Sequence, residues 1–380
     1  MIHTSFNSKL LPLFVSAVLA AGAIACGESK APEQTDVKPE AEKAVPEKTA
    51  EEKAAEEHKA RIEKITTLFD KSLHKTGAGM KYWYDKGSKA IVGKEYEELD
   101  CKNCHVKGCD GCHKDGDKFE APVAKATCLE CHTRFKTTAA MDKAAGIDDP
   151  HAEMACTKCH PVKDMHCDGK EWKSMRDKSF LAAQCETCHE EGKEGARKYD
   201  PEIAAHSSHE NLTCSACHTS NTIACLNCHF DTFLKTGSRK GNFIKGKDWL
   251  LLVNYQGEVT AGTVMSIVSN GKQYATFAPY STHSITSKGR PCADCHENEA
   301  VKALAAGEDV ALAKFEDGEL TMTKGVVPMI EGKVTVPFLD KGEDGKWVEM
   351  KDGCDPMMTF SGYAEPLSAE QLEKLNQKVD

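Results

Sequence analysis

The pattern of apolar and polar positions differs between the two ends of this chain. Between residues 50 and 76, apolar residues recur at helical spacing among Glu and Lys, which predicts an amphipathic helix. Near the other end, Trp249–Tyr255 is an apolar segment that predicts a strand. Glu258–Ser269 and Gln273–Tyr280 flank Asn270-Gly271, which is the strongest short signal for a β-hairpin.

The remaining C-terminal residues predict further strands and two short helices. A helix is expected near Glu299–Lys314, and Ser368 with Gln371 has the pattern of a capping box that opens a terminal helix. Further strand candidates are Leu320–Thr323, Val334–Phe338 and Trp347–Met350. Together these segments predict a small β-rich module.

The first 25 residues have the features of an export signal. Lys9 precedes an apolar run, Leu10 to Ala25, that is too short to span a membrane and ends in small residues. Residues 23–26 resemble a bacterial lipoprotein signal, in which Cys26 is lipidated; plain cleavage after an Ala-x-Ala site is the alternative. Residues 27 to about 55 are mainly Ala, Glu, Lys and Pro without an aromatic residue, which predicts a flexible linker. Because Gly27 rather than Asp follows the cysteine, we expect a lipid-anchored protein at the outer membrane, on its periplasmic or outer face.

Eight Cys-x-x-Cys pairs are each followed at once by His, and no such pair lacks it. Cys-x-x-Cys-His is the c-type haem attachment signature, in which both sulfurs bind the porphyrin and the His binds its iron. Residues i, i+3 and i+4 share one face of a helical turn, so one short helix can present all three side chains. The motifs, numbered 1 to 8, are Cys101/Cys104/His105, Cys109/Cys112/His113, Cys128/Cys131/His132, Cys156/Cys159/His160, Cys185/Cys188/His189, Cys214/Cys217/His218, Cys225/Cys228/His229 and Cys292/Cys295/His296.

Paired cysteines also occur in structural zinc sites and in redox-active dithiols. Zinc does not require a His directly after the second Cys, and one chain needs at most one or two reactive dithiols. With 16 His in 380 residues, eight coincidences favour covalently attached haem c, eight groups in all. Of the 19 Cys, the motifs use sixteen and the lipid would use Cys26, which leaves Cys167 and Cys354 as a disulfide or as free thiols.

The first seven motifs lie between residues 101 and 229, which leaves little chain for each haem. We therefore expect the haems to replace an ordinary hydrophobic core. The predicted fold is mainly α with little regular secondary structure, wrapped around a chain of haems, with a small β-rich C-terminal module. The predicted domains are a signal peptide (1–25), a lipidated N-terminus and linker (26–55), a seven-haem domain (56–235) and a β-rich module with the eighth haem (236–380).

The histidines outside the motifs are the candidate second ligands of the irons. Eight irons need eight such ligands, and the mature chain offers seven His. At least one iron must therefore be bound by Met, Lys, water or another chain, and the sequence does not indicate which one. The candidates are His58, His74, His151, His166, His206, His209 and His283.

One local pattern has a family resemblance. His206 and His209 precede Cys214 in the arrangement His-x-x-His-x4-Cys-x-x-Cys-His, which is similar to the low-potential tetrahaem cytochrome family over about 13 residues. The resemblance implies that His206 binds the iron of motif 6 and that His209 reaches another haem. His151 stands five residues before Cys156, as His209 does before Cys214, so we expect it to bind a neighbouring haem too.

The whole chain resembles octahaem cytochromes of metal- and sulfur-respiring bacteria. That resemblance implies electron transfer from a periplasmic or quinol-linked donor to an outer-membrane or extracellular acceptor, without catalytic residues. Expected partners are other cytochromes, quinol-linked donors or an outer-membrane porin complex. The formal net charge of −10, to which haem propionates would add, argues against nucleic acid as a partner.

An enzyme is the alternative. An octahaem reductase would reduce a small nitrogen or sulfur compound at a haem that lacks a second His. Pentahaem nitrite reductases replace the motif His by Lys at the active haem, and no Cys-x-x-Cys-Lys occurs here. A third interpretation, a filament subunit, would need ligands from a second chain.

Overall fold

The computed structural model describes residues 48–99, 108–115, 118–119, 121–190, 192–193, 195–237, 242–245, 249–350 and 355–379. The predicted signal peptide and linker as far as residue 47, motif 1 and Cys354 lie outside the described residues. The chain divides into two compact units, Met1–Lys53 and Ala54–Asp380, and the elements below belong to the second unit apart from the start of the first helix. Where the chain is described, no helix is both long enough and apolar enough to cross a membrane.

Most helices are a single turn or two, and several carry a motif. Two further turns, Tyr96–Glu98 and Cys156–Lys158, are 3₁₀-helical. The α-helices are α1 (Ala50–Phe69), α2 (Leu73–Thr76), α3 (Ala78–Lys86), α4 (Lys89–Val92), α5 (Asp110–His113), α6 (Lys125–Cys131), α7 (Thr133–Ala145), α8 (Val162–His166), α9 (Glu186–His189), α10 (Ala204–Ser207), α11 (Cys214–His218), α12 (Phe230–Thr236), α13 (Ala293–His296), α14 (Glu299–Ala305) and α15 (Ala369–Leu375).

The strands are concentrated in the C-terminal half. They are β1 (Lys114–Asp115), β2 (Lys118–Phe119), β3 (Ile223–His229), β4 (Asn242–Lys245), β5 (Trp249–Tyr255), β6 (Glu258–Ser269), β7 (Lys272–Pro279), β8 (Val310–Ala311), β9 (Ala313–Glu316), β10 (Glu319–Met322), β11 (Gly325–Pro328), β12 (Val334–Thr335), β13 (Leu339–Lys341), β14 (Trp347–Glu349), β15 (Met357–Phe360) and β16 (Ala364–Glu365).

Among the described residues, eight strands form one mixed sheet. Its main path is β11-β5-β6-β3-β4, while β7 pairs with β6, β15 with β7 and β16 with β5. The β5–β6–β7 meander is antiparallel, whereas β3 lies parallel to β6. Asn270 and Gly271 join β6 to β7 with φ angles of 50° and 70°, the left-handed backbone that a tight hairpin turn requires.

The sheet buries apolar side chains on both faces. Successive residues of a strand point to opposite faces, and both Leu250 and Leu251 of β5 are fully buried. Leu251 packs in a cluster with Trp249 and Phe277, and Leu250 packs in a second cluster with Val326. An ordinary hydrophobic core therefore stabilises this part of the chain.

The predicted fold class is consequently wrong. The expectation of a mainly α chain wrapped around haems, with only a small β-rich C-terminal module, underestimated this eight-stranded sheet and its ordinary core. The physical reason is that apolar residues are abundant after Ile223, so this part of the chain can bury two sheet faces without help from a cofactor. Motif 7 lies inside the sheet, on β3.

Several predicted elements are present with adjusted ends. Trp249–Tyr255 and Glu258–Ser269 are strands with the predicted bounds, and the capping box of Ser368 and Gln371 opens α15. The first helix ends at Phe69, and α2 follows after an N-cap at Ser72. The helix expected near Glu299–Lys314 ends at Ala305, after which the chain forms β8 and β9.

Candidate metal centres

Six motifs adopt the helical turn that their spacing predicts. In motif 2 the backbone N–H of His113 donates to the carbonyl of Cys109 at 2.9 Å. The same bond closes motifs 3, 4, 5 and 8, and motif 6 forms α11. The two sulfurs and the imidazole of each motif thus lie on one side of a short turn.

Each of these six motif histidines faces one histidine from outside the motifs. The two partners are far apart in the sequence in most pairs, so the pairing results from the tertiary fold. The pairs, with the distance between ring centres, are His113–His166 (5.9 Å), His132–His74 (6.3 Å), His160–His283 (6.2 Å), His189–His151 (6.1 Å), His218–His206 (6.4 Å) and His296–His209 (6.0 Å).

These distances suit one metal ion between two imidazoles. A histidine nitrogen binds a transition metal at about 2 Å and lies about 1.1 Å from the centre of its ring, so two imidazoles on opposite sides of one metal have ring centres about 6.2 Å apart.

Hydrogen bonds fix which nitrogen of many rings is free to bind a metal. A carbonyl oxygen can only accept, so a ring whose Nδ1 contacts one donates from Nδ1 and keeps a lone pair on Nε2. His206 and His218 both have this arrangement, with Nδ1 2.6 Å from the carbonyl of Asp200 and 2.9 Å from that of Thr286. The other rings whose Nδ1 contacts a backbone carbonyl, with the distance to it, are His189 to Arg197 (2.6 Å), His209 to Ala205 (2.7 Å), His296 to Gln377 (3.0 Å) and His283 to Ser281 (3.4 Å).

The surroundings keep three of these rings uncharged at neutral pH. The side chain of His283 is exposed, yet desolvation by the groups packed around it, and to a smaller extent the nearby His160, lowers its pKa. Burial followed by the effect of His160 lowers the pKa of His132 as well, and burial followed by His113 lowers that of His166. Neutral imidazole is the form that binds a metal.

Cysteines of different motifs lie close enough to influence one another's pKa. Burial and the neighbouring Cys156 raise the pKa of Cys128 to about 11, and a side-chain hydrogen bond joins Cys185 to Cys214. The cysteine pairs that interact between motifs are Cys112–Cys131, Cys128–Cys156, Cys159–Cys188, Cys185–Cys214 and Cys217–Cys292. The spatial order of the motifs is therefore 2, 3, 4, 5, 6 and 8.

Motif 7 differs from these six. Cys225, Asn227 and Cys228 lie on β3, where Asn227 has a φ of 58° and the pairing with β6 shifts register between the two cysteines. The ring of His229 lies 5.4 Å from Trp347, measured between ring centres. Its Nδ1 is 3.4 Å from Oδ1 of Asp340, and its Nε2 is buried without a hydrogen-bond partner.

One arginine contacts this motif, and a second lies beside the same tyrosine as the first. Nη2 of Arg134 donates to Sγ of Cys225 at 2.9 Å. The guanidinium groups of Arg134 and Arg176 lie 5.6 and 5.8 Å from the ring centre of Tyr280. Burial lowers the pKa of Arg176, which shows that this charge is poorly solvated. The two guanidinium groups beside Tyr280 favour an anionic group next to them.

The other predicted site residues are placed as follows. His58 lies exposed on α1, and Cys26 and motif 1, including Cys101, Cys104 and His105, lie outside the described residues. Cys167 is buried, and its thiol lies 3.0 Å from the carbonyl of Lys170. In the described part of the chain, no three His, Cys, Asp or Glu side chains converge on a common metal position.

Arg134, Asp340 and Trp347 were not predicted as site residues. Nothing in the local sequence links them to motif 7, since Asp340 and Trp347 follow it by more than a hundred residues. Comparison with protein-family models, with curated proteins and with solved structures found no match for this chain.

Proposed function

We propose that this chain is an electron-transfer protein that carries covalently bound haem c at its Cys-x-x-Cys-His motifs. The single observation that carries the proposal is the pairing of six motif histidines with six others at 5.9–6.4 Å between ring centres. The two cysteines of a motif would hold haem c, and its iron would take two protein ligands, the motif histidine and the histidine that faces it. The residues of the six sites fit that requirement.

The same pairing indicates what the sites can do. Haem iron would supply one-electron transfer by alternating between its ferric and ferrous states. Two imidazole ligands would leave no coordination position for a substrate, and they would hold the potential below that of a His/Met site. Six sites of this kind suit electron transfer better than catalysis.

The side chains around the pairs support both ligands of a site. Nδ1 of His160 lies 3.1 Å from Oδ2 of Asp164, a carboxylate only 4% exposed that also accepts from the backbone N–H of Ala182 at 3.0 Å. Such a partner fixes the ring orientation and raises the basicity of the nitrogen that faces the metal. Between motifs 3 and 4, the ring of Phe135 lies 5.7 Å from that of His132 and 4.2 Å from that of His283, measured between ring centres, so it bridges the histidines of the two sites.

The order of the motifs supports a relay. Because motifs 2, 3, 4, 5, 6 and 8 are neighbours in space in that order, an electron that enters at one end can leave at the other by short steps. We propose that the relay connects a periplasmic or quinol-linked donor to an acceptor at or beyond the outer membrane, and that lipid on Cys26 anchors it there. The partners would be other redox proteins.

Haem counting and spin state test the proposal. We expect the purified, exported protein to contain eight haems by pyridine haemochrome assay, and at least six low-spin ferric irons by electron paramagnetic resonance. A colourless protein, or one that contains zinc at these motifs, would refute it. Replacement of Cys26 by Ala should release the protein from membranes; unchanged fractionation would refute the anchor alone.

A further inference from the structure

Motifs 6 and 8 are far apart in the sequence, yet one buried arginine connects them. Nη2 of Arg290 donates to the carbonyls of Thr219 and Ser220, which directly follow motif 6, at 2.9 and 2.6 Å. Nη1 of the same side chain lies 3.6 Å from Oδ2 of Asp294, a residue between the two cysteines of motif 8. The guanidinium group thus bonds to the end of one motif and pairs with a residue inside the other.

The backbone that leads into motif 8 is attached to motif 6 as well. The backbone N–H of Arg290 donates to the carbonyl of Cys217 at 3.0 Å. The carbonyl of Thr286 accepts from Nδ1 of His218 at 2.9 Å, and the N–H of Thr286 donates to the carbonyl of the same histidine at 2.9 Å. A Cβ on Gly289 would lie 3.8 Å from Nε2 of His218, so this segment passes close beside the nitrogen that is free to bind a metal. Arg290 is therefore held next to motif 6 and two residues before motif 8.

The second histidines connect the same two sites. His206 faces His218 of motif 6. His209, three residues later, faces His296 of motif 8. The two sites are therefore neighbours through their second histidines and through Arg290, and one charge at this place can act on both.

The charge of Arg290 is poorly screened by water. Its side chain is 12% exposed, and within the described chain its Nε is buried without a hydrogen-bond partner. Burial raises the pKa of the thiols of Cys217 and Cys295, and the positive charge of Arg290 opposes that rise at both thiols. The charge thus reaches an attachment residue of each motif. A poorly screened cation favours the less positive, ferrous form of an iron nearby.

We infer that Arg290 is a redox-tuning residue shared by motifs 6 and 8, and that its charge raises the reduction potentials of both haems. The inference rests on the proposed function, because it requires haem at these two motifs. Electrons that reach this end of the relay would be held there more strongly than without the arginine.

Redox titration of the haem-loaded protein tests this inference. Arg290→Gln removes the charge and should lower the midpoint potentials of two haems in eight. Arg290→Lys keeps the charge and should leave these potentials closer to those of the wild type. Lys302→Gln is the matched control: it also removes one positive charge, but from a side chain on α14 that is 50% exposed, so it should leave all the potentials unchanged.

Two further variants identify the haems and the sign of the effect. When Cys292 and Cys295 are both replaced by Ala, haem 8 is lost, and Arg290→Gln should then lower the potential of one haem and not of two. Asp294→Asn removes the carboxylate that opposes the arginine and should raise the potentials that Arg290→Gln lowers. This last variant provides the test if Arg290→Gln does not fold.

The outcomes separate this inference from the proposed function. Unchanged potentials in Arg290→Gln at full haem content would overturn the inference and leave the electron carrier intact. A similar shift of all eight haems, or a shift in Arg290→Lys as large as that in Arg290→Gln, would overturn it as well, because the cause would then be a change of fold and not of charge. Lower or unchanged potentials in Asp294→Asn would also overturn it. Absence of haem throughout would refute the proposed function itself.

Discussion

The crossed pairing of His206 and His209 gives the sharpest test of the six sites. These neighbours lie three residues apart, yet His206 faces His218 of motif 6 while His209 faces His296 of motif 8. Replacement of His209 by Ala should therefore remove a ligand from motif 8 and leave motif 6 unchanged. Because the chain has eight motifs, the expected change is one additional high-spin iron in eight.

The assay is electron paramagnetic resonance with quantified spin, supported by absorption spectra. Added imidazole should restore the low-spin signal of His209→Ala, because the truncated side chain leaves space for one imidazole beside His296. His206→Ala is the matched control and should give the same increment from a different iron.

Double variants identify which iron has changed. If Cys292 and Cys295 are also replaced by Ala, haem 8 is lost and His209→Ala should add no high-spin iron. If Cys214 and Cys217 are replaced instead, the increment should persist. The opposite pattern would refute the pairing, and no increment in either background would show that His209 binds no iron.

Three further predictions concern charge and packing. Asp142 is 4% exposed, and burial raises the pKa of its carboxyl group, so this residue favours the folded state only while it is protonated. The stability of the protein should therefore fall as the pH rises above about 4. Asp142→Asn should remove that fall, as measured by unfolding temperatures between about pH 4 and 7. Leu251→Ala should lower the free energy of unfolding in denaturant by about 3 kcal/mol, whereas Val348→Ala, at an exposed position, should change it by less than about 0.5 kcal/mol; equal effects would contradict the assigned core. Arg134→Gln should lower the potential of one haem in a redox titration, because the guanidinium beside Cys225 favours the less positive ferrous iron, and a rise would contradict its placement.

The local backbone of six motifs could be predicted from sequence because it depends on spacing within five residues. The helical turn follows from Cys at i and i+3 with His at i+4, and six described motifs form it. The Asn270-Gly271 hairpin and the Ser368 cap were predictable for the same reason. In each case the residues that determine the structure are neighbours in the chain.

Long-range features could not be predicted in this way. Pairs such as His74–His132 and His160–His283 depend on how distant segments of the chain pack together. The number of residues between two histidines does not predict this packing. The mixed sheet was missed because its parallel pair, β3 with β6, joins segments that no turn connects directly. Motif 7 forms a strand and not the expected helical turn, because β3 gains hydrogen bonds from both β4 and β6.

Asn227 imposes an order on the maturation of the chain. Its side chain bonds to Pro337 and Leu339, which leave the ribosome more than a hundred residues after motif 7. Once these segments dock, Cys225 and Cys228 lie on a strand that is paired on both sides. Under the proposed function, haem would therefore have to be attached to this motif before the later segments dock.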